Sequence, residues 1–184
     1  TVLKTELVEE GLMASDLGVD PLPIDLIAAI GDPFQPFAAG LLLGAREVNQ
    51  KVLLAGGSQM LAVLALALVD LDDSSRSSFV GGVSLATTSW LVTQSNKDKE
   101  RTSDIELLMN LVEDLFHVDL LGLSTGLRFD KSSQRVLRDY EEGHVKEGVG
   151  AGALALLAQM RGVSLSNFVD ECERGVCQLN RGLV

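Results

Sequence analysis

The chain has 184 residues, 46% of them apolar and only 4% aromatic, and carries a formal net charge of −11. That length supports one aliphatic core and excludes a disordered chain. The acidic balance repels phosphate backbones and anionic lipid heads, which argues against nucleic-acid or peripheral-membrane partners.

In chain order, Thr1 to Met13 has apolar residues at Leu3, Leu7 and Val8 and reads as an amphipathic helix. Ser15 to Pro23 is turn-rich, and Ile24 to Ile30 is a short apolar helix with Pro23 near its start. Gly31-Asp32-Pro33-Phe34-Gln35-Pro36-Phe37 holds two prolines and a glycine and predicts a loop. A helical pattern rich in small residues runs from Phe37 to Asn49. Lys51 to Ala55 is a continuous apolar run stopped by Gly56-Gly57, as in a fully buried parallel strand. Ser58 is placed to cap a helix from Gln59 to Val69. Asp70 to Ser78 reads as an exposed acidic loop, and Phe79 to Thr93 as one strand or two joined near Thr88. A charged surface loop, Gln94 to Thr102, leads into Ser103 to Val118, a helix announced by Ser103 as cap and Glu106 three residues on. Asp119 to Leu127 predicts a buried strand, and Ser132 to Tyr140 a helix. A Gly-rich run, an apolar helix from Ala151 to Met160 and an amphipathic helix from Ser164 to about Asn180 complete the chain.

Alternating helices and doubly apolar strands predict a three-layer, Rossmann-like α/β fold, a mostly parallel sheet flanked by helices. Residues 1–184 are read as a single domain, for want of any convincing linker. The apolar window from Val52 to Val69 is split by Gly56-Gly57-Ser58-Gln59, which disfavours a membrane span. Cys172 and Cys177 lie five apart without metal-binding spacing and fit two reduced thiols in a cytoplasmic protein. No metal and no cofactor is expected. A start at Thr1 is what a processed product or a fragment would show.

Three stretches carry possible chemistry. In Tyr140 to Gly152, three glycines (Gly148, Gly150, Gly152) alternate with small residues directly before an apolar helix. Glycine lets a ligand approach the backbone, and the unpaired first amides of a helix favour an anion. Lys146, Gly148, Val149 and Gly150 would cradle a phosphate, and Glu147 would take a proton or stabilise a developing cation. The competing reading makes the glycines a close-packing device and Glu147 a solvated turn residue. Gly56, Gly57, Ser58 and Gln59 follow a buried strand, where ligands of open α/β sheets bind, or form an ordinary strand–helix turn. Asp32, with Gln35, either bonds a sugar hydroxyl or caps the next helix. His117, at a helix end, reads as structural, and His144 beside the Gly-rich run makes no metal site with it.

Gly31–Phe37, Leu53–Val63 and Tyr140–Gly152 together resemble the archaeal and cyanobacterial branch of the nicotinate-nucleotide–dimethylbenzimidazole phosphoribosyltransferase family, in the family's order along nearly the whole chain. The resemblance implies a parallel-sheet fold, a homodimer, and the C-terminal half of a longer enzyme. It implies transfer of phosphoribose from nicotinate mononucleotide to a benzimidazole-type base, a step in making the lower ligand of cobalamin. It also implies that Glu147, in Glu147-Gly148-Val149-Gly150, is the catalytic base. At Ala55 the chain departs from the bacterial branch, which carries an aspartate there. Two other readings stand beside this one: a non-catalytic nucleotide-binding or dimerisation fragment of such an enzyme, and a different glycosyl transfer or hydrolysis using the same Glu147.

Overall fold

The structure, a computed structural model, describes residues 2–93, 103–143 and 150–181. Three strands, β1 (Val52–Ala55), β2 (Val83–Thr87) and β3 (Leu121–Ser124), form a parallel sheet in the order β1-β2-β3. Val52 stands beside Val83 and Ala55 beside Ala86, while Ser84 stands beside Leu121 and Thr87 beside Ser124. Parallel neighbours need crossover connections, and helices supply them. Between β1 and β2 run α4 (Ser58–Leu68) and α5 (Asp73–Val80); between β2 and β3 run α6 (Ser89–Thr93) and α7 (Asp104–Phe116). Ahead of β1 come α1 (Val2–Ala14), α2 (Pro23–Ile30) and α3 (Phe34–Glu47), and α3 packs along α4, which in turn packs on α7. After β3 come α8 (Arg135–Glu141), α9 (Ala151–Met160) and α10 (Leu165–Arg181), and α9 lies against β1 and β2. The chain is therefore a three-layer α/β fold.

Strand alternation divides the apolar residues between the two faces. Val83 and Leu85 join Leu54, Leu61, Leu64, Leu68, Ile105, Val112 and Phe116 in the main core. Leu68 is wholly buried, so truncating it to alanine costs about 2–5 kcal/mol. Ala86, next to Leu85 in β2, faces the other way. Small buried residues of α9 (Gly152, Ala153, Ala155) let that helix sit close on the sheet. A second cluster, Trp90, Leu127, Phe129 and Ala155, joins α9 to α8 and α10 through Tyr140, Leu165 and Phe168. Tyr140 meets the Trp90 ring edge-on, with centroids 5.1 Å apart.

Side chains fix the helix ends. Ser103 and Glu106 form a reciprocal capping box at the start of α7, and His117 closes that helix in the left-handed region (φ 53°). Asp72 caps α5 through the Ser75 amide at 2.8 Å. The Arg46 guanidinium donates to the carbonyls of Phe79, Ser78 and Gln50, which ties the end of α3 to the end of α5. Gly82 leaves room for it, since a Cβ there would lie 2.2 Å from Arg46 Cζ.

Several expectations are corrected. Asp70 to Ser78 is not all loop, because the Asp72 cap starts α5 at Asp73. Phe79 to Thr93 contains one strand, β2, with Trp90 on the helical turn of α6. Phe34 to Phe37 is the first turn of α3; Pro36 is tolerated there because first-turn amides have no intrahelical partner. Ser58 is the first residue of α4 and makes no capping bond; Gly57 occupies the cap position. β3 is shorter and more exposed than a buried strand, with Leu121 56% exposed at an open sheet edge. The loop read at Gln94 to Thr102 lies outside the described residues.

Candidate functional site

The Gly-rich run reaches the sheet at its carboxyl end. A Cβ on Gly150, at the amino end of α9, would stand 3.2 Å from the carbonyl oxygen of Ala55, the last residue of β1. Two residues on, a Cβ on Gly152 would fall 2.3 Å from the carbonyl carbon of Thr87 and 2.4 Å from the amide nitrogen of Thr88. These two glycines thus serve close packing, and that packing sets the first turn of α9 directly over the strand ends. The chain continues from Ala55 into Gly56 and Gly57, both buried, while Ser58 and Gln59 are exposed at the start of α4. The Gly56 amide extends the ladder by donating to the Ala86 carbonyl at 3.0 Å. Two helices therefore begin beside one strand end, where unpaired amides and helix dipoles favour an anion.

Glu147, Lys146, Gly148 and Val149 lie outside the described residues, as does His144. Their flanks are fixed: Gly143 ends the stretch after α8, and Gly150 lies on Ala55. Asp32 stands ahead of α3, its Oδ1 accepting the Phe34 amide at 2.9 Å, while Pro33 occupies the cap position. Gln35, half-buried, sits in the same first turn. Nothing in the hydrogen bonding of the described residues joins Asp32 or Gln35 to Gly56–Gln59.

Sequence reasoning missed Thr87 and Thr88. Thr87 ends β2 and Thr88 follows it, just past the Ala55–Ala86 pair; they are 3% and 0% exposed, and neither hydroxyl has a hydrogen-bond partner among the described residues. An unsatisfied buried hydroxyl costs about 1–3 kcal/mol, so two at a strand end mark a place where a partner is wanted. Thr87 also lines a cleft of about 220 Å³ with Leu85, Val92, Ile105, Met109 and Ser124. The signal was present as Thr87-Thr88-Ser89 closing an apolar run, but reading Phe79 to Thr93 as one strand or two joined near Thr88 gave those residues no role beyond a junction.

Nearby titrating groups are structural. Glu141 is 7% exposed; it pairs with Arg128 and accepts the Phe129 amide, so it anchors the 128–130 turn to α8. Burial pushes the Tyr140 hydroxyl above its ordinary range. Burial, and then the charge of Glu171, raise the free thiol of Cys172, which keeps it protonated and poorly nucleophilic. Among the described residues, no group of three His, Cys, Asp or Glu is placed to hold a metal ion, and no helix is long and apolar enough to cross a membrane.

Fold and site together define an α/β protein whose candidate ligand edge lies at the carboxyl ends of β1 and β2, under the first turn of α9. No family model matches the chain. It is similar to curated relatives named UPF0284 proteins: 54% identical over 178 residues to one from Prochlorococcus marinus (strain MIT 9313), covering 97% of this chain and 44% of the relative. One from Parasynechococcus marenigrum is 48% identical over 177 residues, covering 96% of this chain and 44% of the relative. One from Picosynechococcus sp. is 39% identical over 175 residues, with 95% and 44% covered. The chain thus spans less than half the length of these relatives.

Proposed function

We propose that this chain forms part of a phosphoribosyltransferase site that moves phosphoribose from nicotinate mononucleotide to a benzimidazole-type base. The observation that carries the reading is the seat of Gly150 on the Ala55 carbonyl, which brings two of the three resembling motifs to one strand end. The amides opening α9 and α4 suit the 5′-phosphate despite the net charge of −11. The Thr87 and Thr88 hydroxyls, buried beside that strand end, have no hydrogen-bond partner among the described residues.

In the proposed reaction the bond between the anomeric carbon and the pyridinium nitrogen breaks, and its electron pair stays on nicotinate. A ring nitrogen of the incoming base forms the new bond from the opposite face, inverting β to α. The other ring nitrogen loses its proton to Glu147, whose charge also favours the cationic ribosyl carbon. Catalysis in the full-length gene product, as a homodimer, tests this. Glu147→Gln is expected to keep nicotinate mononucleotide affinity and lower the rate by roughly 10²-fold or more. A parent-like rate would remove Glu147 from the role of base.

A second reading is favoured by the coverage of 44% of each relative: this part of the protein binds nucleotide or dimerises without turning over alone. Thermal shift separates the two. Nicotinate mononucleotide raising the melting temperature of residues 1–184 while those residues show no turnover supports the second reading; turnover by residues 1–184 alone removes it.

A further inference from the structure

α3 is apolar on two opposite faces. Ala39 and Leu42, 4% and 3% exposed, bury one face against α4 and β1. Phe34, Phe37, Leu41 and Val48 fall on one opposing stripe and are 55%, 64%, 61% and 75% exposed. At 3.6 residues per turn, these positions and Gly44 share an arc without a charged or hydrogen-bonding side chain. A helix apolar all round is normally buried, and a contiguous exposed stripe marks a contact surface. Gly40 and Gly44 add a second feature, since a Cβ on either meets no atom within 4 Å, so another backbone can come close.

We propose that this stripe is covered by a helix from the part of the full-length polypeptide that lies outside these 184 residues. The 178 matched residues are 44% of the first relative, which makes that relative about 405 residues and leaves about 230 outside the match. The alternative occupant, α3 of a second copy, is opposed by charge. The first 48 residues hold two Lys or Arg against eight Asp or Glu, so a self-contact here sets two acidic surfaces against each other. A segment of the same chain reaches the stripe at high effective concentration. This inference is independent of the proposed reaction.

Hydroxyl-radical footprinting of the unmodified full-length gene product tests it, at two concentrations a hundredfold apart. Phe34 and Phe37 are expected to be modified several-fold more slowly than in the urea-unfolded chain, equally at both concentrations. Modification at the unfolded rate, or protection that appears only at the higher concentration, overturns the proposal; the latter result assigns the stripe to a second copy. A photo-crosslinking residue at Leu41 identifies the occupant. A crosslink within one chain to a peptide outside these 184 residues is the expected product, and one joining two chains refutes it. If that variant does not fold, the footprinting of the unmodified protein decides.

Discussion

Replacing Gly152 with alanine adds one methyl group where α9 meets the end of β2. The new carbon would lie 2.3 Å from the Thr87 carbonyl carbon, 2.4 Å from the Thr88 nitrogen and 2.5 Å from the Thr87 oxygen. Ordinary contact begins near 3.4 Å. The helix or the strand end must therefore move by about 1 Å, because all three atoms are backbone and cannot rotate away. Overpacking of this kind costs about 1–3 kcal/mol, against a helix-propensity gain for alanine of about 0.8–1 kcal/mol. Net destabilisation of up to about 2 kcal/mol is expected. Gly175→Ala is the control: Gly175 lies within α10, and a Cβ there meets nothing within 4 Å, so the propensity gain should appear alone. The assay is urea unfolding of the two variants and the parent. If Gly152→Ala matches or exceeds the parent midpoint while Gly175→Ala behaves as expected, the close seat of α9 on the strand ends is wrong. With it would go the shared edge that joins Gly150 to Ala55.

Glu141→Gln, harmless for an exposed carboxylate, should here destabilise the protein by about 1–3 kcal/mol, because a buried carboxylate that pairs with half-exposed Arg128 and accepts a backbone amide is disturbed; denaturant midpoints measure it, with exposed Glu142→Gln as the neutral comparison. Ser103→Ala removes the α7 capping box and should cost about 1 kcal/mol, and an unchanged midpoint would show that the cap contributes nothing. The hydrogen bonds from the Ser132 hydroxyl at 2.5 Å and then the Ser133 amide at 2.7 Å hold Glu173 below its ordinary value of 4.5. A carboxylate whose folded pKa is depressed stabilises above the unfolded pKa and loses that contribution as pH falls through the folded value. The stability difference between parent and Glu173→Gln should therefore be full at neutral pH and shrink below 4.5; a difference independent of pH would refute the role given to these bonds.

The sequence by itself determined the elements with strong local chemistry. The capping box at Ser103 and Glu106, the apolar run Val52–Ala55 stopped by two glycines, and the apolar helix after Gly150 were legible because each rests on neighbours in the chain. Local signals also misled. Pro36 reads as a helix breaker but sits in a first turn, and the Asp72 cap was lost within an acidic stretch. For the site, the sequence named Gly56, Gly57 and Gly150, yet spacing gave no means of deciding between a ligand cradle and a packing device. Tertiary structure supplied the packing role of Gly150 and Gly152, because that role depends on the carbonyls of Ala55 and Thr87, far away in sequence. It also placed Glu141 in the interior, since its partners Arg128 and Phe129 reach it only when α8 folds back. Thr87 and Thr88 became candidates only once burial and missing partners were known, because an unpaired hydroxyl is a property of its surroundings and not of the residue.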